Sequence, residues 1–160
     1  PRYADAVTTE LVGELAAHGE RAHRVTVAPE CVLHVRRYDY GHHGLLSLDY
    51  YRRALAAAGN PRFRVVTDEP NFCEYAFKGF AGFDGVVRGD PAAPWSDFYL
   101  MAGARVQVIA NSSFSWWTAW LGRARGATTQ VLAPVEWSLV GGGDPCPPGW
   151  QRIDAPLVRP

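Results

Sequence analysis

A chain in which short apolar runs alternate with stretches of helical period has few folds open to it. Here Cys31 to Val35, Phe63 to Thr67, Val86 with Val87, Val106 to Ala110 and Thr129 to Ala133 each read as a short strand. The stretches between them carry helix signals. Ser47 opens a helix over Leu48 to Ala58 that Gly59 closes, with Pro61 just beyond. Phe72 to Lys78, Trp95 to Gly103, and Ser113 to Leu121 stopped by Gly122 read as further helices, and Asp5 to Ala17 as an earlier one. About five strands separated by helices predict an α/β, Rossmann-like domain: a mostly parallel sheet with helices on both faces and right-handed crossovers. Gly141 to Gly149 reads as loop, and Trp150 to Ile153 is expected to pack back on the domain.

Composition narrows the classes. With 160 residues, 48% hydrophobic and 20% charged, the chain can bury the core of one domain, which excludes disorder as its main state. Sixteen basic residues balance sixteen acidic ones, so no net field draws in nucleic acid or an anionic membrane. No apolar stretch reaches the roughly 18 to 20 residues of a membrane span, and nothing near Pro1 reads as a signal peptide. The chain opens at Pro1 without a Met, which leaves room for an upstream domain or anchor. Cys31, Cys73 and Cys146 show no CxxC spacing, and the histidines form no HExxH or Cys/His pattern. Neither a metal centre nor a disulfide framework is expected.

In an open α/β sheet ligands sit beyond the carboxyl ends of the strands, where loops lead into helix N-termini. Two such loops are chemically unusual. The strand from Cys31 runs into His34-Val35-Arg36-Arg37-Tyr38-Asp39-Tyr40, bringing two guanidinium groups and a carboxylate into one loop. Arginine offers a planar, permanently charged fork suited to phosphate oxygens, and Asp39 can hold one fork while the other meets a ligand. A surface Arg-Asp pair at a strand end is the plainer reading of the same residues.

The second loop is Ala110-Asn111-Ser112-Ser113-Phe114-Ser115-Trp116-Trp117. Ser112 or Ser113 is placed to cap a helix whose first N–H groups face outward, an anion site that needs no metal. Asn111-Ser112-Ser113 also matches a glycosylation sequon, but a strand-to-helix turn facing a pocket makes a poor acceptor. Trp116, Trp117 and Trp120 at helical spacing read as packing rather than as a sugar platform. Neither GxGxxG nor GxxxxGK[ST] is present, and no Asp-x-Asp pair is available to hold a divalent ion on phosphates. Together the two loops describe a diphosphate site neutralised by arginine and helix N–H groups.

Several of these blocks resemble a known family. His34-Val35-Arg36-Arg37-x-Asp39-Tyr40, His43-Gly44-x-Leu46-Ser47-x-x-Tyr50-Tyr51, Thr67-Asp68-Glu69, Asp97-x-Tyr99-Leu100-Met101, Ile109 to Trp117 and Ala133-Pro134-x-x-Trp137 look like successive motifs of the alpha-1,2-fucosyltransferases, in family order. The resemblance runs from about Val25 to Ile153. It implies the C-terminal, donor-binding half of a GT-B enzyme, with residues 1–160 as one GDP-fucose-binding domain and the family's N-terminal partner domain outside the chain. The implied reaction moves L-fucose from GDP-fucose to a galactose 2-hydroxyl of a glycan, inverting the anomeric centre without a metal or other cofactor.

The same resemblance implies that Arg36 neutralises the diphosphate while Arg37 and Asp39 brace the loop. It sets His34 and Asp97 by the guanine and ribose, and gives Asn111, Ser112, Ser113, Phe114 and Ser115 to the donor. Asp39, His42, His43 and Asp68 are the candidate bases. Where the family has Gly between Arg and Asp this chain has Tyr38, and the family's Met-Ser-x-Cys-x-His is Met101-Ala102-Gly103-Ala104-Arg105-Val106. Two other readings stay open: a non-catalytic nucleotide-sugar or carbohydrate-binding module, and a protein O-fucosyltransferase, which would not be expected to carry the Asn-Ser-Ser-Phe-Ser-Trp-Trp block. The compartment is open too, bacterial-type cytoplasm or, through a membrane segment outside the chain, the Golgi lumen.

Overall fold

The computed structural model of the chain describes residues 9, 13, 28–41, 43–89, 95–141 and 143–159. The helix expected over Asp5 to Ala17 lies outside them except at Thr9 and Gly13, both helical. Strands β1 (Cys31–Val35), β3 (Phe63–Thr67), β4 (Phe83–Val87), β5 (Val106–Val108), β6 (Gln130–Pro134) and β7 (Gln151–Ile153) form one sheet in the order β4-β3-β1-β5-β6-β7. Every neighbouring pair in it is parallel. Strands β2 (Leu45–Leu46) and β8 (Leu157–Val158) make a separate antiparallel pair. The expected α/β, Rossmann-like architecture is present, with β7 as a sixth strand where the sequence suggested only a segment packing back.

Helices α1 (Leu48–Ala57), α2 (Pro70–Phe77), α3 (Ser96–Ala102) and α4 (Ser113–Ala124) connect the strands. Alternation along β1 explains why both sheet faces are covered. Cys31, Leu33 and Val35 point into a core shared with Tyr50, Tyr51 and Leu55 of α1 and Cys73 and Phe77 of α2. Val32 faces the other way, into a cluster with Met101 of α3 and Phe114 of α4. Ser47 accepts a hydrogen bond from Tyr50 N, as its capping position requires. Two buried tyrosines then tie α1 to the sheet: Tyr50 Oη donates to Ile109 O at 2.6 Å, and Tyr51 Oη to His34 O at 3.3 Å.

Gly122 does not stop α4, which runs on to Ala124. Its role is close approach. A Cβ at Gly122 would lie 2.8 Å from Ala102 O and 2.9 Å from Gln107 Nε2, and would also strike Thr128 Oγ1. Gln107 is the one polar residue of β5 and is fully buried, where Thr118 and Thr128 satisfy it: Thr118 Oγ1 donates to Gln107 Oε1 at 3.0 Å, and Gln107 Nε2 to Thr128 Oγ1 at 2.8 Å. A side chain at Gly122 would part α3 from α4 and break that network, so Gly122→Ala is expected to destabilise by roughly 1 to 3 kcal/mol. Chemical denaturation checks this, and a variant as stable as the parent would refute the close-packing account.

Trp116 and Trp120 stack with centroids 5.2 Å apart and pack with Trp150 against Ile109, Val131 and Ala133, as the packing reading expected of them, whereas Trp117 meets Trp116 edge-on at 5.0 Å and lies outside that cluster. Trp116 Nε1 donates to Pro145 O at 3.1 Å, tying the Gly141 to Gly149 loop to α4. No helix among the described residues is long and apolar enough to cross a membrane.

Candidate functional site

The chain leaves β1 in one direction along the sheet, through β3 to β4, and then returns to β5 on the other side of β1. The order therefore reverses between β1 and β5, and the crevice beyond their carboxyl ends is where ligands bind in such sheets. Both unusual loops open there, since Leu33 of β1 pairs with Val108 of β5. A hollow of about 330 Å3 lined by Arg52, Leu55, Asn60 and Phe80 lies between the last turns of α1 and α2 and includes no residue of either loop.

On the β1 side, Arg36 Nε and Nη2 donate to the two oxygens of Asp39 at 2.9 and 2.8 Å. Its Nε also lies 3.2 Å from Asp68 Oδ2. Burial works against the guanidinium charge, but bonding to Asp39 and the charges of Asp68 and Asp39 outweigh it and raise the Arg36 pKa above its ordinary value. No described hydrogen bond engages Nη1. Arg37 turns the other way, with Nε on Glu69 Oε2 at 3.0 Å and its guanidinium carbon 3.9 Å from the Phe72 ring centre. The sequence showed the Arg36–Asp39 pair by spacing. Glu69 and Phe72 gave no such signal, because they approach only through the β1–β3 register that sets Val35 beside Thr67.

Tyr38 is 83% exposed, and its φ is not positive, since Asn60 is the only non-glycine residue among those described with a positive φ. The loop thus requires no glycine here, and Tyr38 does not crowd it. Tyr38→Gly is expected to destabilise by roughly 0.5 to 1 kcal/mol through unfolded-chain entropy, with no gain in nucleotide affinity. A rise in affinity on melting and titrating the variant would show that the tyrosine obstructs the site.

On the β5 side, Asn111 is buried, and its Nδ2 donates to Gly44 O at 3.1 Å and Trp137 O at 3.2 Å. It clamps the loops after β5 and β6 to the one before β2, which also closes off the sequon. Ser112 occupies the N-cap of α4, but its hydroxyl makes no capping bond, so the amides of the first turn have no side-chain acceptor. Ser115 instead bonds Ala110 O and Ser112 O, each at 3.2 Å, and shapes the turn from within.

His34 and Phe114 join the two sides. Their rings lie 5.5 Å apart, Phe114 meets Phe98 of α3 at 5.6 Å, and Phe98 meets the exposed Trp95 at 5.7 Å. His34 is 4% exposed and its Nδ1 is buried without a partner. Burial, and secondarily the Arg36 charge, push its pKa down to about 3, so the ring is neutral. Asp97 stands in the first turn of α3, facing Gly89 so closely that a Cβ there would be 2.7 Å from Oδ2. Burial raises its pKa.

Of the candidate bases, Asp39 lies on Arg36, and Asp68 accepts from Arg37 N at 3.0 Å and Tyr38 N at 3.2 Å. His43 sits 5.0 Å from the Tyr40 ring, and His42 lies outside the described residues. Among the described residues no three His, Cys, Asp or Glu side chains converge to hold a metal ion.

An Alpha-1,2-colitosyltransferase of Escherichia coli is 34% identical over 137 residues, which cover 76% of this chain and 47% of that protein. The O-antigen biosynthesis glycosyltransferase WbnK of Escherichia coli is 30% identical over 116 residues, covering 66% of this chain and 38% of that protein. The chain thus spans less than half the length of either relative. No solved structure matches it significantly. The pattern of Glycosyl transferase family 11 matches residues 28–139, from the approach to β1 to the loop after β6. Both loops at the switch point lie inside that match, and the resemblance read from the motifs holds: the chain belongs to glycosyl transferase family 11.

Proposed function

We propose that the chain binds the donor nucleotide sugar of a transferase that moves L-fucose from GDP-fucose to the 2-hydroxyl of a galactose-terminated glycan, with inversion and without a metal. The observation that carries the reading is the arrangement at the switch point, where the Arg36 loop and the uncapped amide end of α4 leave adjacent strands. In such a transfer the sugar gains oxocarbenium character while negative charge builds on the departing diphosphate. Fixed positive groups aimed there stabilise the transition state more than the ground state. Arg36 supplies that charge, and Arg37 and Asp39 brace it. The first-turn groups of Ser113, Phe114 and Ser115, with Ser112 before them, receive phosphate oxygens, while Asn111 holds their loop in place. His34 and Asp97 flank the nucleoside. The acceptor proton passes to a base that these residues need not include, or leaves late enough for a weak one to serve.

The relative named for colitosyl transfer favours a second reading, in which the donor carries colitose. Both readings predict that GDP binds in EDTA as tightly as in Mg2+, because arginine and amides neutralise the phosphates. Calorimetric titration under the two conditions checks this, and a strict metal requirement would sink the cradle. Competition between GDP-fucose and the GDP-colitose counterpart then decides the sugar.

A further inference from the structure

Asp68 leaves β3 beside the exit of β1, because Val35 pairs with Thr67 one residue earlier. Its carboxylate meets three consecutive residues of the facing loop. Oδ1 accepts from Arg37 N at 3.0 Å, Oδ2 accepts from Tyr38 N at 3.2 Å, and Oδ2 lies 3.2 Å from Arg36 Nε. Two backbone amides and one guanidinium nitrogen are thus gathered by one side chain thirty residues away in sequence. Asp39 also holds Arg36, but from outside: its side chain is 55% exposed, against 17% for Asp68. A phosphate can take over the position of an exposed carboxylate far more readily than that of one set into the loop's base.

We infer that Asp68 is a positioning residue that fixes the β1 loop and aims Arg36 at the donor diphosphate, an inference that rests on the donor reading above. The carboxylate is matched to this task because only an ionised, acceptor-only group can take two N–H groups and a guanidinium at once. Asn in its place keeps the size but offers one acceptor oxygen, so the amide nitrogen is set either against Arg37 N–H or against both Tyr38 N–H and the Arg36 guanidinium. The loop then loses its aim without losing its neighbours.

The test compares GDP with guanosine, which carries the nucleoside and no phosphate. In the full-length protein Asp68→Asn is expected to weaken GDP roughly tenfold and to leave guanosine unchanged in an NMR titration. On an Arg36→Ala background the same substitution is expected to cost GDP less than twofold, because the residue it aims is gone. Equal losses for both ligands, or full additivity with Arg36→Ala, would overturn the inference by showing general loop damage. Unchanged GDP binding in Asp68→Asn would overturn it while leaving the donor reading intact. Failure of the unmutated protein to bind GDP would overturn both. Should Asp68→Asn not fold, Asp68→Glu takes its place in the same cycle, with a smaller loss for GDP alone as the expected result and an equal loss for guanosine as the overturning one.

Discussion

Acidification from pH 7 to pH 4 is expected to remove about 3 kcal/mol of stability through His34 alone. Burial holds the folded pKa of this residue down to about 3, from an ordinary 6.5, with Arg36 adding to the effect. Between those two values the unfolded chain binds the proton and the folded chain does not, so stability falls as pH falls. The loss begins near pH 6.5 and levels off near pH 3, at about 1.4 kcal/mol for each unit crossed. The ring cannot escape by bonding, since Nδ1 is buried without a partner and the aromatic ring of Phe114 lies beside it.

Other groups titrate over the same range, with mixed signs. Burial raises Asp97, which gains relative stability on acidification; burial also acts to raise Asp144, but its bonds to Cys146 N and Arg152 together outweigh it and lower the carboxyl, so that group loses stability. A His34→Gln variant subtracts them all. Denaturant unfolding of both proteins at pH 7 and pH 4 should give a markedly smaller acid loss in the variant. Identical losses would mean that His34 is not held neutral by the fold.

The strands that read most clearly are those whose burial leaves the sequence no choice. Cys31 to Val35 is apolar nearly throughout because helices cover both faces, and its bounds coincide with β1. β7 was harder to see, because Gln151-Arg152-Ile153 lies at the sheet edge with only Ile153 buried. Gly122 misled for a related reason: a glycine required by a neighbouring helix and a glycine that ends its own look alike in one dimension. In the site, what lay within a few residues was legible, as with Arg36 and Asp39. What depended on parallel register was not. Asp68 appeared among the possible bases with nothing to distinguish it, and its bonds to Arg37 N and Tyr38 N span more sequence than any local pattern can reach. Asn111 gave no hint of clamping two loops, one from each side of it in the chain.

Arg36→Ala is expected to weaken GDP binding by roughly 10- to 150-fold, the equivalent of losing about 1.5 to 3 kcal/mol of charge-assisted contact. The direction follows from what remains. Without the guanidinium, the exposed Asp39 stays in the loop as a carboxylate with no cation between it and the incoming diphosphate. Repulsion then adds to the missing attraction. Arg37→Ala leaves Arg36 and both of its carboxylates in place and removes instead the Glu69 pair and the stacking on Phe72. Its effect on GDP should be several-fold smaller and should accompany a lower melting temperature, since that arginine braces the β1 loop against the start of α2. Stability separates the two variants in the opposite sense to affinity. The Arg36 ion pairs are partly exposed and contribute little to folding, so Arg36→Ala should unfold within about 1 kcal/mol of the parent. Calorimetric titration with GDP and thermal melts of both variants provide the comparison. If folded Arg36→Ala binds GDP as tightly as the parent, the diphosphate does not lie on this loop and the donor site must be sought elsewhere.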